Sequence, residues 1–324
     1  MPVLKSYVAG QWVGATAAKA LPSAINGETI AHTHAETIDF SQVVDYGRHT
    51  GVKNLLAVDF QQRAAILKAL AIYIQERKEA LYEISHHTGC TRADSWIDIE
   101  GGFGTLFAYA SIGRKGLPSG NVAHEGPAIQ LGKDNHFNGT HILVPRRGVC
   151  VHINAFNFPI WGMLEKFAPA FLAGMPCIVK PATATSYLAE AAVRIIDESG
   201  LLPAGALQLI IGGTGDLLDR LEEQDFVTFT GSAATALKLK SHPNVMARSI
   251  PFNAEADSLN SAILAPDVTP DDEEFWWSFN DPTTGRMRSV FGALVQMEKY
   301  CGDVIAPIRS WEETAHVPEY NPCH

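Results

Sequence analysis

The sequence predicts an α/β protein in which helices cover both faces of a doubly wound, Rossmann-type parallel sheet. Two observations carry this prediction. From residue 141 onward, short apolar runs alternate with amphipathic runs, which is the pattern of consecutive β-α units. Glycine and hydroxyl residues follow several of these apolar runs, at the turns where such sheets bind nucleotides.

Five strands are predicted in this region, with helices in the intervals. The first helix covers about residues 161–173 and ends at Gly174. The second begins at Thr185, a candidate cap, and ends before Gly200, and a third begins near Thr214. The predicted strands are 141–144, 148–153, 176–180, 207–211 and 226–230.

The residues before this region predict a hairpin, a helix and a long connection. Short apolar runs around Gly10 predict a hairpin over residues 3–13. Asp59 and Gln62 predict a capping box, and apolar residues recur at three- and four-residue steps as far as Leu81, so one long helix is expected. Residues 114–140 are rich in Gly, Pro and Asn, which predicts a loop.

Composition excludes several function classes. The 324 residues are 46% apolar and 19% charged, which is too apolar and too weakly charged for a disordered chain. With 25 Lys and Arg against 35 Asp and Glu, the formal charge is −10. No broad cationic surface is therefore expected, and nucleic acid is not an expected partner.

Cysteine usage and the N-terminal sequence indicate the compartment. Five cysteines stand at scattered positions without a C-x-x-C pair, which argues against a disulfide framework and against a zinc site. No basic segment followed by an apolar one opens the chain, and no apolar run approaches the roughly 20 residues that span a bilayer. We expect a cytoplasmic protein that binds neither membrane nor metal.

The run HINAFNFP at 152–159 follows a predicted strand and precedes a predicted helix, where open α/β sheets present side chains to ligands. A carboxamide N–H of Asn157 aimed into that crevice would stabilise a developing oxyanion, an effect typically worth about 3 kcal/mol of barrier. Alternatively, Asn154 and Asn157 both cap the turn. The run alone leaves both interpretations open.

Two further turns carry candidate nucleotide contacts. Lys180 ends a predicted strand, where its ammonium would reach a ribose or a phosphate; alternatively it is a surface lysine that snorkels at the sheet edge. The glycine turn that begins at Gly212 lets backbone approach a phosphate, although such turns are common after strands.

The end of the last predicted strand offers an anion site, and a polar stretch further along the chain offers a carboxylate. Gly231 and Ser232 end a strand and open a helix, and the free N–H groups of a helix N-terminus bind anions. Glu255 stands in the polar stretch NAEADSLN just before an apolar run. Its carboxylate is a candidate general base, whereas a single loop glutamate is more often an exposed surface acid.

In this order, INAFNFP, VKPAT, FTGS and EADSLN resemble the aldehyde dehydrogenase superfamily. TRADSW, DIEGG and GMLEK, at 91–96, 98–102 and 162–166, make the resemblance strongest to one branch of it. That branch contains the dehydrogenase domain of the bifunctional phenylacetate-degradation proteins and the semialdehyde dehydrogenases of aerobic benzoate breakdown. The resemblance implies an aldehyde-dehydrogenase-like fold and oxidation of a CoA-linked semialdehyde to the acid.

The resemblance also implies roles for individual residues. Asn157 becomes the oxyanion donor and Glu255 the general base that activates water. Thr183 stands where NAD-preferring members carry Glu, and because a carboxylate there would repel a 2′-phosphate, NADP is the implied cofactor. The implied cofactor-binding residues are Phe156, Lys180, Thr183, Gly212, Gly231 and Ser232.

Homo-oligomers are the rule in the family, and residues 1–14 and about 124–147 are the implied oligomerisation strands. The resemblance ends near residue 275. Equal spacing from the general base puts Leu294 where the family has its nucleophilic cysteine, and Cys301, the nearest thiol, lacks the family's motif.

We therefore expect residues 1–275 to be the cofactor-binding part and residues 276–324 to be an unmatched tail, with the catalytic domain largely missing and the chain inactive. The alternative to an enzyme is a non-catalytic nucleotide-binding pseudoenzyme or a gene fragment.

Overall fold

The computed structural model describes residues 1–134 and 136–256. The strands are β1 Ser6–Val8, β2 Gln11–Val13, β3 Ala17–Pro22, β4 Thr29–His34, β5 Ala123–Gln130, β6 Asn138–Leu143, β7 Cys150–Ile153, β8 Cys177–Lys180, β9 Leu207–Leu209, β10 Phe226–Gly231 and β11 Phe252–Ala256. The α-helices are α1 Phe40–Tyr46, α2 Val52–Leu56, α3 Phe60–Gln75, α4 Lys78–Ser85, α5 Arg92–Gly116, α6 Trp161–Leu172, α7 Ser186–Glu198, α8 Ala233–Lys240 and α9 Pro243–Ala247.

A seven-stranded sheet organises the fold, in the order β11-β10-β7-β8-β9-β1-β2. The five strands from β7 to β11 are parallel to their neighbours, and the hairpin β1–β2 adds antiparallel to the edge of β9. The chain runs outward from β7 through β8 to β9, and then returns to place β10 on the other side of β7. The predicted doubly wound α/β sheet is therefore confirmed, with its switch point between β7 and β10.

Successive residues of β7 and β8 point into two different cores, as expected for a sheet that is covered on both faces. Cys150, Cys177 and Val179 pack with residues of α3, α5, α6 and α7. Val151 and Ile178 pack on the opposite face, with residues of α1, α8 and α9. Apolar runs in these strands thus reflect burial on both sides.

Several predicted elements agree closely with the structure. The N-terminal hairpin turns at Ala9 and Gly10, both at positive φ, which suits the twist of a two-residue hairpin. Asp59 and Gln62 form the predicted capping box of α3. The prediction of one long helix is wrong in one respect: helix α3 ends at Gln75, and Leu81 belongs to the separate helix α4.

Two predictions between residues 114 and 220 are wrong, and a third is right about the strand but wrong about its sheet. The expected loop 114–140 instead contains the end of α5 and the strand β5. The strand was missed because its residues are mostly exposed, so they show no alternation of apolar and polar residues. The predicted strand 141–144 corresponds to β6, which pairs with β5 outside the main sheet. Instead of a helix near Thr214, the chain makes one 3₁₀ turn at Leu217–Arg220.

One buried carboxylate joins the amino ends of β7 and β10. Asp225 accepts hydrogen bonds from the backbone N–H groups of Val149 and Glu222, both at 2.8 Å, and it pairs with the Arg48 guanidinium. Gly148, at φ +91°, makes this approach feasible, because a Cβ there would lie 2.5 Å from the carbonyl oxygen of Gln224. A buried charge pair of this kind is costly to break from one side.

Replacing Asp225 by Ala is expected to lower the free energy of unfolding by about 3–5 kcal/mol, because Arg48 loses its buried counter-charge and the backbone N–H groups of Val149 and Glu222 lose their acceptor. Urea denaturation measures the change. Asp216→Ala is the matched control, because its ion pair with Arg220 is exposed and contributes less than about 1 kcal/mol. Equal losses in the two variants would contradict this account of Asp225.

Candidate active site

The carboxyl ends of the parallel strands bring the predicted site residues to one edge of the sheet. Ile153, the last residue of β7, is in register with Lys180 of β8 on one side and with Phe229 of β10 on the other. Glu255 of β11 is in register with Thr230 of β10. The turn after β7 therefore lies between the lysine and the carboxylate that the sequence singled out.

Asn157 and Glu255, the two predicted catalytic residues, line the same cavity of about 180 Å³. The Thr230 hydroxyl donates a 3.5 Å hydrogen bond to Oε2 of Glu255, whose side chain is otherwise exposed. The cavity lining consists of Ala155, Asn157, Phe158, Trp161, Gly162, Glu165, Thr230 and Glu255. An amide donor and a carboxylate thus face one space large enough for a small carbonyl group and a water molecule.

The interpretation of Asn154 as a turn cap is wrong. Its backbone N–H donates to the Lys180 carbonyl at 3.0 Å, while both polar atoms of its buried carboxamide have no hydrogen-bond partner in the described residues. His152, two residues earlier, is completely buried, and both its ring nitrogens lack partners in the same part of the chain. Burial, reinforced by the Lys166 ammonium, lowers the pKa of His152 to about 3, so the imidazole is neutral.

Lys180 is half-buried at the end of β8, and burial lowers its pKa from the ordinary value. Among the described residues, no carboxylate lies within ion-pair distance of its ammonium. The next turn, with Thr183 at its start, is tied to the turn after β7, because the Thr185 hydroxyl donates to the Phe156 carbonyl at 3.0 Å. Thr185 therefore bridges two turns and is not the side-chain cap that the sequence predicted.

At the end of β10, the Ser232 hydroxyl caps α8 by accepting the Thr235 N–H at 3.2 Å, and it is buried. What α8 offers at the sheet edge is the partial positive charge of its N-terminus. Gly231 has no room for a side chain, because a Cβ would lie 2.5 Å from the Phe229 ring. Gly212 instead borders open space at φ +111°, where a side chain would strain the backbone but meet no atom.

None of the described cysteines suits nucleophilic attack. Cys150 and Cys177 are buried in the sheet, and desolvation raises the pKa of both thiols, that of Cys150 to about 12. Burial also raises the pKa of Cys90. Leu294 and Cys301 lie outside the described residues.

Residues 1–134 and 136–256 hold no group of three or more potential metal ligands and no helix with the length and apolarity to cross a bilayer. Sequence reasoning missed several residues that line the site, among them Thr230, Trp161 and Glu165. Their positions, next to a strand end or in the first turns of a helix, could have indicated that they line the site. Residue type alone does not distinguish them from residues that only pack in the core.

Comparison with known proteins gives a consistent family. The sequence profile described as the aldehyde dehydrogenase family matches residues 12–274. A 3,4-dehydroadipyl-CoA semialdehyde dehydrogenase from Aromatoleum evansii is 44% identical over 274 residues, which are 84% of this chain and 53% of that protein. The chain thus spans about half the length of this curated relative.

Solved structures agree on the fold. A betaine aldehyde dehydrogenase from Staphylococcus aureus in complex with NAD+ superposes with a TM-score of 0.69 at 21% identity, over 79% of this chain and 50% of the other. An NAD-dependent benzaldehyde dehydrogenase from Corynebacterium glutamicum superposes with a TM-score of 0.65 at 20% identity, over 78% of this chain and 55% of the other. At this level of identity, the structures support the fold alone.

The neutral, buried His152 makes stability depend on pH. The unfolded chain binds a proton at this residue below about pH 6.5, whereas the folded chain does not do so until about pH 3. The free energy of unfolding should therefore fall by about 1 kcal/mol per pH unit between pH 6 and 4 from this residue alone. In His152→Gln that contribution should vanish. Urea denaturation at several pH values would then show that the free energy of unfolding depends less steeply on pH than in the native chain. An unchanged slope would contradict a buried, neutral His152.

Proposed function

Because the chain belongs to the aldehyde dehydrogenase family, we propose that it binds NADP at the carboxyl edge of its parallel sheet. We further propose that the whole protein oxidises a CoA-linked semialdehyde, formed during aromatic degradation, to the acid. The 44% identical relative, a CoA-linked semialdehyde dehydrogenase, supports the substrate class. The observation that carries the proposal is the shared cavity of Asn157 and Glu255 beside the Lys180 strand end.

The residues at the edge fit a dinucleotide phosphate. Lys180 supplies a cation that no described carboxylate neutralises, and α8 supplies a helix N-terminus at the end of β10. Gly231 and Gly212 keep side chains away from the places where backbone would approach the phosphates. When bound, the cofactor supplies a hydride acceptor.

Thr183 favours NADP over NAD in this proposal. Its neutral side chain begins the turn after Lys180, close to where the adenosine ribose would lie. A carboxylate at the same place would repel a 2′-phosphate, whereas a threonine does not. Phe156 contributes through its carbonyl, which is held by Thr185 and fixes the turn next to the cofactor.

Asn157 and Glu255 divide the work on the substrate. A carboxamide N–H of Asn157 donates to the aldehyde oxygen as negative charge develops on it. Glu255, reached by the Thr230 hydroxyl, takes the proton from the water that hydrolyses the acyl intermediate. The thiol that forms that intermediate must come from outside the described residues, since the described cysteines are poor nucleophiles.

The proposed oligomeric state and cellular compartment are those expected from the family resemblance. The β5–β6 hairpin and its flanks expose Ile129, Leu131, Phe137 and Ile142, each at least half exposed, and such a surface suits pairing with another copy of the chain. We propose a homo-oligomer that works in the cytoplasm, with reduced thiols and with no nucleic acid, metal or membrane partner.

Fluorescence titration is expected to give tighter binding of NADP than of NAD. Thr183→Glu should weaken NADP binding about tenfold or more and leave NAD binding nearly unchanged, because only NADP brings a 2′-phosphate to the new carboxylate. Lys180→Ala is the matched control, since losing the ammonium should weaken both cofactors together. Equal affinities in the native chain, or parallel effects in Thr183→Glu, would contradict the assignment.

The 324-residue chain is expected to form no measurable NADPH with a CoA-linked semialdehyde, because the described thiols are protonated and Leu294 supplies no nucleophile. Absorbance at the NADPH band follows the reaction. NADP binding without turnover is the result expected of a cofactor-binding part that lacks the nucleophile. Robust turnover that disappears in Cys301→Ala would overturn this prediction and make residues 276–324 a catalytic segment.

A further inference from the structure

The motif DIEGG at 98–102 carries no cofactor or substrate contact in the proposed function, and the structure places it inside α5. Asp98 is 3% exposed, and both its carboxylate oxygens point at α6. Oδ1 accepts the N–H of Trp161 at 2.7 Å and that of Ile160 at 3.1 Å, while Oδ2 lies 3.4 Å from the Ile160 nitrogen. These two N–H groups open the helix that follows Asn157.

The carboxylate of Asp98 is buried without an ion-pair partner among the described residues. Desolvation raises its pKa to about 7, and the two backbone N–H groups oppose that rise. Burying a carboxylate is expensive unless it makes strong hydrogen bonds. Within the described part of the chain, the hydrogen bonds that compensate Asp98 come from the start of α6, where a negative charge also faces the positive end of the helix dipole.

The two glycines of the motif bring α5 close enough for this contact. A Cβ on Gly102 would lie 3.0 Å from Cγ2 of Ile160 and 3.3 Å from the Trp161 Cα. A Cβ on Gly101 would lie 3.3 Å from Cε3 of the Trp161 ring. Glycine weakens the interior of a helix, so two adjacent glycines in α5 indicate that close approach to α6 is required here.

Glu100 anchors the same helix on another side. Its Oε1 accepts a 2.7 Å hydrogen bond from the Lys78 ammonium and a 3.0 Å hydrogen bond from the Tyr82 hydroxyl, both on α4. The motif therefore links α4 through α5 to the first turn of α6. Asn157 stands only three residues before Ile160, at the end of that linked path.

We propose that Asp98 is a positioning residue, whose carboxylate fixes the first turn of α6 and thereby the direction in which Asn157 presents its carboxamide to the cavity. This role deepens the proposed function, because it explains how a donor on a turn is held in one place. A pre-placed donor stabilises an oxyanion more than a mobile one does, because it needs no reorganisation during the reaction. Gly101 and Gly102 serve the same role by allowing the approach.

Hydrogen–deuterium exchange of the full chain tests the proposal without any need for turnover. In Asp98→Ala, the amides of Ile160 and Trp161 lose their acceptor, and exchange in a peptide covering 155–162 should quicken about tenfold or more. Asp98→Asn keeps one acceptor oxygen, so its exchange rate in this peptide should lie between those of the native chain and Asp98→Ala. Peptides from α7 and α8 should exchange as in the native chain.

Asp94→Asn is the matched control, because Asp94 lies on the same helix but acts only in the exposed cap at its start. Unchanged exchange over 155–162 in both Asp98 variants would overturn the proposal, and so would faster exchange spread evenly over α3, α7 and α8. If Asp98→Ala does not fold, Asp98→Asn still decides. NADP titration of the native chain tests the proposed function separately. If the local exchange changes but NADP does not bind, the proposed function is contradicted, while the contact between Asp98 and the start of α6 is still supported.

Discussion

The parallel pairing of β7 with β8 on one side and with β10 on the other is the constraint on which the rest of the structure depends. Because the chain leaves β7 in one direction and later returns on its other flank, the turns after β7 and β10 diverge and open a crevice. Every candidate contact except Gly212 lies in the turns or strand ends next to this opening. The site is therefore a consequence of strand order, and its residues come from distant parts of the sequence.

Buried carboxylates hold the ends of the elements that shape the crevice. Asp225 accepts the backbone N–H of Val149, just before β7 begins, and Asp98 accepts those of Ile160 and Trp161, where α6 begins. In both places, a side chain satisfies backbone donors that regular structure leaves without partners. Asp98 therefore acts at the end of the turn that carries Asn157, whereas Asp225 acts at the amino end of β7, at the edge of the sheet away from the cavity.

Sequence reasoning was most accurate where a strong local signal and burial coincide. The parallel strands β7 to β10, the cap at Asp59 and the helix that begins at Trp161 were predictable, because apolar runs and capping residues specify them. The parallel strand β11 was not, because its residues form a polar stretch. The β5–β6 hairpin was not, because its residues are exposed and carry no alternation. The break between α3 and α4 was missed because the apolar spacing continues across it.

The candidate site was partly predictable for a similar reason. Asn157 and Glu255 follow or end strands, and strand ends meet at one sheet edge, so their shared cavity follows from topology. The partners of Asp98 and Thr185 were not predictable, because each bond joins segments more than 25 residues apart. A motif such as DIEGG reveals that something constrains α5, and only the packing shows that the constraint is the start of α6.

The central claim is that the sheet edge at the switch point binds NADP. The most direct measurement is hydrogen–deuterium exchange of the native chain with and without saturating NADP. The account predicts slower exchange in peptides covering 154–158, 180–186 and 231–236, with no change in the β3–β4 hairpin. Unchanged exchange in all three peptides at saturation, or protection confined to other parts of the chain, would contradict it.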